Sequence, residues 1–172
     1  MIIVSDSNML SSLASANALN LLHKLYKVDT IYIPIAVEQE LQQALKPDKE
    51  YIKQIFQNIA TGKIKILPLT ANEQALTKTL PPKLHDGERE GIILCYRERH
   101  SFLCNDKRAI RYCHQHGIKV VDLPLLLNLF WTRHIISKYQ AETLIQKMVA
   151  QENLHLSEEQ LAQIFAPRRT KR

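Results

Sequence analysis

The sequence predicts an α/β domain in which a parallel sheet is flanked by helices. Short strand-like runs alternate with segments of helical periodicity, the order that builds such a sheet. The first run, Ile2, Ile3, Val4 and Ser5, is apolar up to its last residue, as a central strand covered on both faces has to be. A length of 172 residues, 45% of them hydrophobic, suits one well-buried core and is short for two.

After the first run, Leu13, Leu19, Leu22, Leu25 and Tyr26 fall near helical spacing and predict one helical stretch. The second run, Thr30, Ile31, Tyr32 and Ile33, stops at Pro34, a residue suited to the first turn of a helix. In that second helix Val37, Leu41 and Ala44 or Leu45 share a face. Tyr51, Ile52, Ile55, Phe56 and Ile59 predict a further helix ended by Gly62, and residues 63–67 form a third, alternating run. Pro81 and Pro82 break the chain before a helix that starts near Asp86 and has a nearly continuous apolar centre at residues 92–95. The fourth run, residues 101–104, leads into Asn105 and Asp106; a helix from Lys107 to about His116 ends at Gly117, and residues 118–121 make the fifth run. Beyond Asp122 the pattern is helical, with Ser157 and Gln160 spaced as a capping box.

Composition narrows the function. Four glycines leave no glycine-rich phosphate cradle, which disfavours nucleotide-cofactor chemistry. No apolar run approaches the roughly 20 residues of a membrane span, and the N-terminus shows no basic leader or cleavage site. Cys95, Cys104 and Cys113 are odd in number and lack zinc-site spacing, so they read as buried thiols in a reducing compartment. The expectation is a soluble cytoplasmic protein without membrane contact. Of the net charge of +6, Arg168, Arg169, Lys171 and Arg172 supply most within a basic tail, a source of salt-sensitive attraction to nucleic acid.

The acids carry the chemistry. Asp6 ends the first strand and Asp106 follows the fourth, and ligands of open parallel sheets collect outside such carboxyl ends, near the switch in strand order. Glu40 lies three residues after Val37, and Glu88 opens the helix behind the double proline. Carboxylates held together repel, and either a retained proton or a hard divalent cation relieves the conflict. A cation so held serves in-line attack on a phosphodiester. Taken one at a time, such acids also serve as helix caps or solvated charges, and Asp86 reads as a cap.

Four segments in order resemble the PIN-domain family, in the branch of VapC-like toxins and their relatives of unassigned role. They are residues 3–8 (with Asp6, Ser7 and Asn8), 33–41 (with Pro34 and Glu40), 86–92 (with Gly87, Glu88, Glu90 and Gly91) and 103–109 (with Asn105 and Asp106), spread over residues 2–125. The resemblance implies a three-layer α/β fold and a ribonuclease dependent on Mg2+ or Mn2+. It implies Asp6, Glu40, Glu88 and Asp106 as catalytic acids, with Asp6, Glu88 and Asp106 as metal ligands and Ser7 and Asn8 in support. The third acid comes from counting seven residues back from the small residue Cys95, which gives Glu88, with Glu90 as rival. Asn105 stands where this branch often has a second acid, and the segment after the fifth strand, residues 122–127, lacks the glycine frequent in relatives. Partners implied are an RNA substrate, an antitoxin protein where the chain is half of a pair, and a second copy in a homodimer.

The expected organisation is a nuclease domain over residues 1–125, a helical extension over 126–166 covered by this domain or by a dimer partner, and the basic tail 167–172. Arg108 and Arg111, just beyond Asp106, are candidate phosphate contacts or partners of nearby acids. A nucleic-acid-binding or regulatory module with little or no catalysis is the alternative, motivated by Asn105 and the softer third acid. A phosphoaspartate hydrolase is disfavoured, because Asn8 stands two residues after Asp6 where a second aspartate is needed.

Overall fold

The computed structural model describes residues 2–97 and 100–167. Five parallel strands, β1 (Ile3–Ser5), β2 (Ile31–Ile33), β3 (Ile64–Ile66), β4 (Ser101–Leu103) and β5 (Lys119–Val121), form one sheet in the order β3-β2-β1-β4-β5. The chain builds outward from β1 on one side and then returns to its other side, so the order reverses between β1 and β4. Val4 pairs with Tyr32 on one flank and Phe102 on the other. All three residues of β1 are buried, whereas β3 exposes Lys65 and Ile66 and β5 exposes Lys119, as edge strands do.

Strand side chains alternate between faces and feed two apolar clusters. Ile3, Leu103 and Val121 join Met9, Leu10 and Leu13 of α1 (Ser7–Ser15), and α2 (Leu19–Tyr26) adds Leu21 and Leu22 on the same side. Val4, Phe102 and Val120 join the opposite cluster with Ile92 and Leu94 of α6 (Asp86–Arg97) and Ala109 and Cys113 of α7 (Lys107–Gln115). Helix, sheet and helix therefore make three layers. Cys95, Cys104 and Cys113 are all buried and free.

The helical stretch expected across residues 13–26 is two helices, parted where Asn17 takes a left-handed backbone (φ 56°) that lets the chain turn between Ala16 and Ala18. The second predicted helix is thus α3 (Ile35–Ala44), followed by a 3-10 turn at Pro47–Lys49 and α4 (Ile52–Ala60). The helix α5 (Ala71–Thr77) has no counterpart in the sequence reading. None of its residues is buried, so it lacks an apolar stripe, and a capping box of Thr70 and Glu73 starts it.

The last three helices are α8 (Leu123–Thr132), α9 (Lys138–Glu152) and α10 (Glu158–Phe165), the last capped by Ser157 and Gln160. The residue 125/126 boundary falls inside α8. Leu126, Leu127, Phe130, Ile145, Met148 and Ile164 belong to the same cluster as Ile3 and Leu10, so this chain's own core covers the apolar face. Trp131 Nε1 and Asn128 Nδ2 both donate to the Ile164 carbonyl, at 2.7 and 2.8 Å, and fasten α10 to α8. Arg168, Arg169, Lys171 and Arg172 lie outside the described residues. Among the described residues no helix is long and apolar enough to cross a membrane.

Candidate active site

Asp6 leaves β1 and caps α1: its Oδ1 accepts the Met9 amide at 2.7 Å. Its Oδ2 accepts the amide of Asn105, behind β4, at 3.1 Å, and the Cys104 thiol donates to the same carboxylate. One side chain thus ties together the two strands that flank the switch point. It is 3% exposed, and burial pushes its pKa from 3.8 up to about 6 against the opposing pull of the amides and thiol. The charge of Glu40 adds to the rise.

Asp106 caps the helix after β4 in the same manner, with Oδ1 accepting the amides of Arg108 (2.7 Å) and Ala109 (3.0 Å). Its other oxygen has no hydrogen bond among the described residues. Glu40, on α3, uses both oxygens: Oε2 accepts the Ser7 hydroxyl at 2.5 Å and Oε1 the Gly87 amide at 3.2 Å. Gly87 is needed there, because a Cβ would lie 2.8 Å from Glu40 Oε1 and 2.9 Å from a methyl of Val37. Gly91, one turn on, lets α6 close on the sheet, since a Cβ would stand 2.5 Å from the Phe102 ring.

Glu88 and Glu90 part company. Glu88 is 5% exposed; its Oε2 accepts the His85 amide at 2.9 Å, and its pKa is raised by burial, then by the charges of Asp106 and Asp6. Glu90 instead accepts the Ala36 amide at 3.0 Å, at the start of α3 where the capping residue, Pro34, has no polar side chain. The structure therefore groups Glu88, not Glu90, with the two aspartates. Asp86 does not cap the helix: it lies within the first turn, its side chain 81% exposed and paired with Arg89 at 3.4 Å, while Glu88 reaches back to the amide ahead of the helix.

Of the supporting residues, Asn105 spends its side-chain oxygen on the Leu123 amide at the start of α8 (3.4 Å). Ser7 and Asn8 line a cleft of about 630 Å³ with Glu40, Lys49 and Glu152, between α1, the 3-10 turn and the end of α9. Asn105 also lines a second cleft of about 570 Å³ with Arg111. Arg108 turns away and donates to the Lys83 carbonyl at 3.0 Å. Two site residues escaped the sequence reading as such. Cys104 registered only as a buried thiol, and Gly87 only as part of a motif.

Four carboxylates from four separate elements thus gather at the carboxyl end of the sheet, and two carry raised pKa values. Among the described residues no three acidic, imidazole or thiol groups stand close enough to enclose a metal ion by themselves. A hard divalent cation that keeps several waters and takes one or two carboxylates plus substrate oxygens would fit so open a set of acids. The all-oxygen donor set and the proton affinity of the buried Asp6 point the same way.

The model of one protein family, described as a PIN domain, matches residues 2–168. No curated protein and no solved structure compared with the chain matches it.

Proposed function

The chain belongs to the PIN-domain family, and from that premise we propose that it is a divalent-cation-dependent ribonuclease hydrolysing phosphodiester bonds in single-stranded RNA. PIN domains are generally nucleases and usually use divalent metal ions. The observation that carries the reading is the meeting of Asp6, Glu40, Glu88 and Asp106 at the strand-order switch, with Asp6 and Glu88 raised in pKa partly by their acidic neighbours.

In this reading the cation would be held among Asp6, Glu88 and Asp106, with water completing its shell where the three carboxylates stand too far apart to enclose it by themselves. Bound there, it would polarise a phosphoryl oxygen and offset the charge of the pentavalent transition state. Asp6, fixed from two strands, sets the position of the site. Glu88, whose pKa is raised by burial and by the charges of Asp106 and Asp6, stands beside the aspartates to position or deprotonate the attacking water. Glu40 acts as a positioning residue, joining the starts of α1 and α6 through Ser7 and Gly87. The biological role is that of a VapC-like toxin or a stand-alone relative. An antitoxin partner and a homodimer rest on the family resemblance alone.

The test is cleavage of end-labelled single-stranded RNA in Mg2+ and in Mn2+, with Asp6→Asn purified in parallel. Cleavage by the wild type that EDTA and Asp6→Asn both abolish supports the enzyme. RNA binding without cleavage in either metal sinks it and favours a binding module, a reading that Asn105, its side chain committed to Leu123, keeps in play.

A further inference from the structure

The second cleft beside the acids has a character opposite to theirs. Lys107, Arg111 and His114 stand at successive turns on one exposed face of α7, and His155, in the connection between α9 and α10, faces them across about 570 Å³. Neither Lys107 nor Arg111 has an ion pair or hydrogen-bonded side-chain partner among the described residues. The one acid in the lining among the described residues, Asp122, has Oδ1 committed to the Leu125 amide at 2.9 Å as the cap of α8. Each imidazole keeps at least one N–H to donate in any protonation state. The other cleft, lined by Ser7, Asn8, Glu40 and Glu152, has Lys49 as its only cation among the described residues. Asn105 lines both clefts, so they meet beside the acid cluster.

We infer that the cleft of Lys107, Arg111, His114 and His155 is a phosphodiester-backbone subsite that holds one flank of a single-stranded substrate and sets the direction in which the strand crosses the acids. This rests on the nuclease reading and adds to it a polarity and a role for the C-terminal helices, which contribute His155. A polyanion approaching four carboxylates meets repulsion, and an unpaired cationic wall on one side offsets it. Lysine and arginine without acidic partners give up little on meeting phosphate, and the gain appears as counterion release.

The experiment measures binding of fluorescein-labelled single-stranded RNA by anisotropy, in EDTA and over a range of monovalent salt, so that no cleavage enters the readout. The double variant Lys107→Gln/Arg111→Gln is expected to bind roughly 25-fold more weakly at 0.1 M salt, with a log Kd against log salt slope shallower by about 1.4. His155→Ala is expected to weaken binding severalfold, and Lys53→Gln, on α4, not at all. All four positions are exposed, and matching thermal melts establish folding. An unchanged affinity and slope in the double variant, with wild-type RNA cleavage intact, overturns the subsite and leaves the nuclease standing. Weakened binding in the double variant of a protein that never cleaves keeps the subsite and removes the nuclease.

Discussion

Asp6 and Asp106 occupy equivalent places, one residue past β1 and three past β4, and each caps the helix that follows. Their surroundings differ. Asp6 is nearly sealed, bonded to an amide on each side and to a thiol, and its carboxyl is held at about 6. Asp106 is half-buried, and both of its bonds come from its own helix start. One local rule, an acid capping a helix at a strand's carboxyl end, thus yields an anchored acid and an open one. The difference comes from distance past the strand: Asp6 is the first residue after β1 and meets the chain leaving β4, whereas Asp106 stands three residues beyond β4.

The largest expected effect falls on catalysis. Asp6→Asn and Asp106→Asn each keep an oxygen for their helix-capping bonds, and each is expected to lower RNA cleavage about a thousandfold with folding retained. Loss at Asp6 alone, with Asp106→Asn near wild type, breaks the paired reading. Glu88→Gln against Glu90→Gln sharpens the third corner, with about a hundredfold loss at Glu88 and less than tenfold at Glu90.

The second effect is on stability. In the cation-free protein the folded chain keeps the Asp6 proton up to about pH 6, while the unfolded chain releases it near 3.8. Asp6 therefore adds stability below pH 3.8 that is lost as pH rises through 6, in all about 3 kcal/mol. Urea unfolding between pH 4 and pH 7.5 is expected to show that decline in the wild type and a smaller one in Asp6→Asn.

Smaller effects follow from packing and capping. Gly91→Ala pushes a methyl into the Phe102 ring just ahead of the open acid, at an expected cost of about 2 kcal/mol in thermal unfolding. Glu90→Ala removes the acceptor for the Ala36 amide and is expected to cost about 1 kcal/mol.

Asp6 and Asp106 were legible in the sequence because a strand running into an acid and then a helix is a local pattern. The parallel sheet was legible for the same reason. Choosing between Glu88 and Glu90 was a different problem, since both sit in the early turns of α6 and only the approach of α3, which gives Glu90 an amide to accept, separates them. Cys104 could not be read as a partner of Asp6, because their contact depends on β4 pairing with β1. The break at Asn17 and the exposed α5 were missed because neither disturbs or supplies an apolar period. Whether the leucine-rich α8 faced its own core or another molecule depended on where α10 docks, which Asn128 and Trp131 fix.

The central claim is that the anchored acid and the open one share a cation. The most direct measurement is anomalous diffraction from crystals equilibrated with Mn2+ at pH 7.5. A peak in contact with both Asp6 and Asp106, absent in Asp6→Asn crystals grown alike, is the expected result. Manganese bound elsewhere in the crystal, with none between these two carboxylates, would contradict the account.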